Sequence, residues 1–199
     1  MTAIRSPDIW HRDDFAVMAN WRRYTRVIEV GVDRGEFAQC FLSRWVAGDL
    51  YLAVDTWKPY GEMQWDRTGD LLMCAQRLTP WARHAKIVKA SSLEAREYIR
   101  NADTEHYRKP YDLIYIDDDH TYERVRDNLT VWWDLVSEIG MLAGHDYGND
   151  LCPGVQQAVD EFAVKHGLTV YVTPDYPSSW YVYKSGMPTG PRIKPEEVF

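Results

Sequence analysis

Residues Arg26–Gly35 read RVIEVGVDRG, a five-residue run rich in β-branched side chains followed by a turn holding Gly31 and Gly35. Just beyond it Phe37, Phe41, Leu42 and Trp45 share one helical face, so the unit is strand, glycine turn, helix. The same alternation continues outward. Apolar runs at Leu50–Asp55, Lys86–Lys89, Asp112–Asp117 and Met141–Ala143 are separated by stretches of helical period. In those stretches Tyr122, Val125, Leu129, Trp132 and Val136 form one stripe, and Val155, Val159 and Phe162 another. Further helices are expected over Asp13–Trp21 and Glu62–Leu78, and Ser91 or Ser92 and Thr121 stand where helix N-caps belong. Strands alternating with helices predict a parallel sheet covered on both faces. Leu168–Thr173 and Trp180–Lys184 have only TPDYPSS around and between them, too little for a crossover helix, so they predict an antiparallel hairpin.

Thirty Asp and Glu against 23 Lys and Arg give a formal charge of -7, which disfavours a nucleic-acid binder because such domains carry a basic face. A chain of 199 residues suits one ordinary domain that buries about 70% of its unfolded surface. We expect that domain over residues 1–184, with an N-terminal helical segment at 1–22 and a flexible tail at 185–199. Three widely spaced cysteines form no CxxC pair, so neither a disulfide framework nor a zinc knuckle is indicated. No apolar run approaches the roughly 18 residues of a membrane span, and the start lacks a signal-peptide core; a cytoplasmic protein is expected. Nine Trp and thirteen Tyr are an excess that reads mostly as core packing. Trp132 and Trp133 are adjacent on one helix and cannot both face the sheet.

In open α/β sheets ligands bind beyond the carboxyl ends of the strands, and those ends are polar here. The first carries Glu29-Val30-Gly31-Val32-Asp33-Arg34-Gly35, a GxxxG turn and not the GxGxxG of dinucleotide folds. The second carries Asp55, Thr56 and Trp57, and a carboxylate at that place can accept both ribose hydroxyls. After the fourth stand Asp117, Asp118, Asp119 and His120, and after the fifth His145 and Asp146. Crowded carboxylates repel one another unless a cation or proton offsets them, so a hard divalent ion is one reading. Solvated acids that cap the following helix are the plainer one.

Taken in order, ExGxxxG, Asp55, IDDDHTY and AGHDY resemble the class I S-adenosylmethionine-dependent methyltransferases, in the small branch of macrocin-type and related sugar O-methyltransferases, over about Arg23 to Lys184. The resemblance implies a Rossmann-like, doubly wound sheet of seven strands in the order 3-2-1-4-5-7-6, with the last strand antiparallel. It implies that Gly31 and Gly35 pass the methionine part of the cofactor and that Asp55 holds the ribose, with Glu29, Val32, Asp33 and Thr56 also among the cofactor-binding residues. Trp57, Ser91 and Ser92 would border the adenine, and Asp117 and Asp118 would complete the cofactor site. Asp117, His145 and Asp146 fall where metal-dependent members hold their ion. A histidine among the ligands softens that site and leaves Mg2+ dependence open. Asp119 or His120 would be the general base.

The function expected is methyl transfer from S-adenosylmethionine to a hydroxyl of a small molecule such as a sugar, with Mg2+ or another divalent cation left open as an assistant. Tyr60 and Trp65 are candidate acceptor walls, and a homo-oligomer is also left open. The alternatives are a silent cofactor-fold scaffold and a nucleotide-dependent oxidoreductase. The second is disfavoured by the missing GxGxxG loop.

Overall fold

The computed structural model describes residues 3–59 and 66–185. Its eight strands are β1 (Ile4–Arg5), β2 (Arg26–Val30), β3 (Leu50–Asp55), β4 (Ala85–Lys89), β5 (Tyr111–Ile116), β6 (Val136–Tyr147), β7 (Tyr171–Val172) and β8 (Ser178–Tyr183). The helices are α1 (Phe15–Trp21), α2 (Glu36–Arg44), α3 (Thr68–Leu78), α4 (Ser92–Arg100), α5 (Glu105–Arg108), α6 (Tyr122–Trp133) and α7 (Pro153–His166). One sheet runs β1-β7-β8-β6-β5-β2-β3-β4. The expected seven-stranded order is therefore present, with β8 antiparallel to both β6 and β7. The short strand β1, parallel to β7, is an addition at one edge.

Every residue of β2 and β3 is buried, because helices cover both faces. Val27, Tyr51, Ala53, Leu113, Tyr115, Met141 and Tyr181 belong to the core packed with α1, α2 and α3. Their neighbours Ile28, Leu52, Val54, Ile114, Leu142 and Val182 belong to the core packed with α4, α6 and α7. This period of two within apolar runs is what a sheet covered on both sides requires. Among the described residues no helix is long and apolar enough to cross a membrane.

Several boundaries differ from the sequence expectation. Val136 is buried, but as the first residue of β6 opposite Tyr111 rather than as part of the α6 stripe. β6 runs on to Tyr147, so His145 and Asp146 lie inside the strand end. The described part of the helix expected from Glu62 begins at Thr68. Tyr60, Trp65 and residues 186–199 of the expected tail lie outside the described residues. Of the adjacent tryptophans, Trp132 is fully buried, while Trp133 meets Phe162 of α7 edge-on at 5.3 Å.

Candidate active site

The carboxyl ends of β2, β3, β5 and β6 converge on one cleft edge, and the turn after β2 is its floor. Gly31 has φ +86, and a Cβ there would stand 2.0 Å from the carbonyl oxygen of Asp117. The glycine thus lets the β2 and β5 loops touch backbone to backbone. Gly35, at φ +80, is the N-cap of α2 and packs against Cys74 and Leu78 of α3.

Asp55 is 7% exposed. One of its oxygens accepts the backbone N–H of Asp33 at 2.9 Å and the other that of Trp57 at 2.7 Å. The carboxylate therefore ties the first two strand-end loops together, and each oxygen keeps a lone pair for another donor. Trp57 is buried, with its indole N–H on the Asp33 carbonyl at 2.8 Å. Arg67 lies beneath, its guanidinium 3.6 Å from Asp55 and 3.2 Å from Asp70, with Asp33 as a further partner. Thr56 accepts the Lys58 N–H. Ser91 N-caps α4 in a capping box with Glu94, and Ser92 is the first residue of that helix.

A cavity of about 170 Å³ opens beside the glycine turn, lined by Arg12, Glu29, Gly31, Val32, Asp33, Arg34, Glu36, Phe37 and Asp117. Glu29 at its base is 2% exposed and accepts a hydrogen bond from the Tyr51 hydroxyl. Burial pushes its carboxyl up to about 8, against the opposing pull of that hydrogen bond and of Arg12. Because the folded value lies above the unfolded one, the stability this group contributes is full below about pH 4.5 and is lost as pH rises towards about 8. Glu29→Gln should therefore be more stable than the parent at pH 8.5, by on the order of 2 kcal/mol, and match it near pH 4.5. Thermal melts across that range check this, and a difference independent of pH would refute it.

The second cluster owes its geometry to a bulge. Gly144 pairs with Trp180 and Tyr147 with Ser178, so His145 and Asp146 together oppose the single residue Ser179. Asp146 takes φ +62. An extra residue of this kind bends a strand and re-aims a side chain, and here Asp146 is turned in towards β5. His120 Nε2 stands 3.1 Å from Asp146 and 3.5 Å from Asp117, buried, yet aligned for a hydrogen bond with neither. The two carboxylates, Asp117 first, raise the imidazole to about 10. Burial opposes ionisation of Asp146, but the close approach of the His120 imidazole, with hydrogen bonds from His145 and Asn149, outweighs it and holds the carboxyl far below its ordinary value.

Ligand atoms of Asp117, His120 and Asp146 lie within 4.8 Å of one another, a donor set suited to a divalent ion. His145 is not in that group; its Nδ1 meets Asp146 at 3.1 Å, as a residue that orients the ligand would. Asp118 is held by Asn128 and raised by burial. Asp119 accepts the N–H of Thr121, the N-cap residue of α6. No motif marks Arg12, Arg67, Asn149 or Gly154 in the sequence. Gly154 has a signal only in space: a Cβ there would stand 2.5 Å from the Tyr122 nitrogen, so it lets α7 abut the loop bearing His120.

A family model described as a methyltransferase domain matches residues 28–147, more than half of the chain. The chain belongs to this methyltransferase family. The match begins in β2 and ends at the bulge of β6, so it spans both clusters. The fold is that of class I S-adenosylmethionine-dependent methyltransferases. Similar solved structures include the O-methyltransferase TomG from Streptomyces achromogenes in complex with SAM, at 14% identity and TM-score 0.63, covering 86% of this chain and 78% of that one. An O-methyltransferase from Bacillus cereus in complex with SAH has 12% identity and TM-score 0.64, covering 87% and 80%. The N-methyltransferase NodS from Bradyrhizobium japonicum has 10% identity and TM-score 0.56, covering 86% and 92%. Oxygen and nitrogen methylation thus share this architecture. No match was found among curated proteins.

Proposed function

We propose that this methyltransferase moves the methyl group of S-adenosylmethionine to a hydroxyl oxygen of a small molecule, with a divalent cation between Asp117 and Asp146. The observation that carries the reading is His120 Nε2, buried between two carboxylates and aligned with neither. Oxygen is favoured as the acceptor atom because a hydroxyl must lose its proton to be a nucleophile. Two acids and an imidazole at one point are groups for that task.

Asp55 would hold the ribose hydroxyls and Glu29 the methionine ammonium, whose charge favours the ionised form of a buried acid. The cofactor supplies an electrophilic methyl on a sulfonium, and a bound cation lowers the pKa of a ligated hydroxyl. Asp117 and Asp146 would carry the cation, as a hard ion that keeps several waters takes one or two carboxylates. His145, through Nδ1, keeps Asp146 aimed. With a cation's positive charge held beside it by Asp117 and Asp146, His120 would stand neutral and able to take the hydroxyl proton, and Asp119 stays with the start of α6.

Calorimetric titration with S-adenosylmethionine, with and without Mg2+, tests this directly. Binding should be saturable, and Asp55→Ala should weaken it about a hundredfold, since a charged acceptor shared by two hydroxyls is lost. Absence of binding with or without Mg2+ would overturn the assignment.

A further inference from the structure

Methionine carries a carboxylate as well as an ammonium, and the cavity beside the glycine turn is lined by Glu29, Asp33, Glu36 and Asp117. A carboxylate entering among these acids needs a cation, and the cavity offers Arg12 and Arg34. Arg34 is committed: its Nε is 2.9 Å from Asp70, and its side chain is half exposed. Arg12 touches Asp117 only at 3.5 Å, through one nitrogen, the geometry of a weak pair.

The position of Arg12 is nevertheless firmly built. Its guanidinium lies 5.0 Å over the ring of Phe37, and that ring stacks on Tyr115 at 4.3 Å. Its backbone N–H donates to Asp175 of the closing hairpin at 3.3 Å. The turn it begins is closed by a capping box between His11 and Asp14. A fixed guanidinium with a loosely held partner, facing a cavity, can give two parallel hydrogen bonds to a carboxylate.

We propose that Arg12 receives the carboxylate of the methionine part of the cofactor. This rests on the function proposed above and adds to it a binding residue outside the segment matched by the family, which starts at residue 28. Arg12 thereby separates ligands with an amino-acid tail from adenosine thioethers that lack one.

Two probes decide it: S-adenosylhomocysteine, which has the tail, and 5′-methylthioadenosine, which does not. Arg12→Ala should weaken S-adenosylhomocysteine about ten- to a hundredfold, the worth of a charged hydrogen bond, and leave 5′-methylthioadenosine within about twofold. Arg12→Lys should fall between parent and alanine variant, keeping charge without the fork. Retained thioether binding also shows that the variant is folded. Equal losses for both probes would mean that Arg12 only supports its own segment, and no loss would give the carboxylate to the α2 N-terminus; either result overturns the proposal. A parent that binds neither probe would bring down the cofactor assignment itself, and this inference with it.

Discussion

Gly31→Ala should lower the stability of the fold by about 2–4 kcal/mol, an overpacking cost added to that of a left-handed backbone. The added Cβ would meet only main chain, the Asp117 carbonyl at 2.0 Å and Asp118 Cα at 2.7 Å, so no side chain can swing aside. The β2 and β5 loops must part, and Asp117 then leaves His120. For a chain of this size the loss corresponds to a fall in Tm of roughly 5–15 °C. Gly69→Ala is the control, since nothing lies within 4 Å of its added Cβ and it sits in helix α3. It should be neutral, or stabilising by about 0.5–1 kcal/mol. Equal melting temperatures for the Gly31 variant and the parent would show that the loops yield freely.

Asp146→Asn should weaken Mn2+ or Mg2+ binding by about a hundredfold or more, since even outer-shell partners of a metal are worth ten- to a hundredfold. The substitution keeps the shape and the Asn149 contact, which Asp146 accepts at 2.6 Å, while removing the charge. Asp146 does not line the cavity beside Gly31, so affinity for S-adenosylhomocysteine should stay within about twofold. His120→Ala should keep most of the cation affinity, and with a methyl acceptor in hand should lower turnover about 10²- to 10⁴-fold, the usual worth of a general base. Unchanged cation binding in the Asp146 variant would take the metal out of the mechanism.

Most of the fold was legible because β2, β3, β5 and β8 are apolar runs whose two-sided burial leaves no choice of face. β1 was not: two exposed residues, Ile4 and Arg5, carry no period, and only their pairing with Tyr171 and Val172 makes them a strand. The acids at the strand ends were visible as types, whereas their roles depend on direction. Asp117 and Asp146 converge, Asp119 turns to the start of α6, and His120 rather than His145 reaches both converging carboxylates. The pattern AGHDY does not announce a bulge, since the two-against-one count is a property of the partner strand. Arg12 was invisible for a related reason. Its partners Phe37, Asp117 and Asp175 belong to three distant segments, and no local spacing connects them.

The β1 pairing bears on the order of assembly. The N–H of Ile4 reaches the Val170 carbonyl, the Ser6 hydroxyl meets that of Tyr181, and Asp175 receives the N–H of Arg12 across a separation of 163 residues. Contacts this distant in sequence form only after the long intervening loop has been closed, which slows folding. The segment before α1 leaves the ribosome well before its hairpin partner. One wall of the site is therefore completed only when the two ends of the described chain meet.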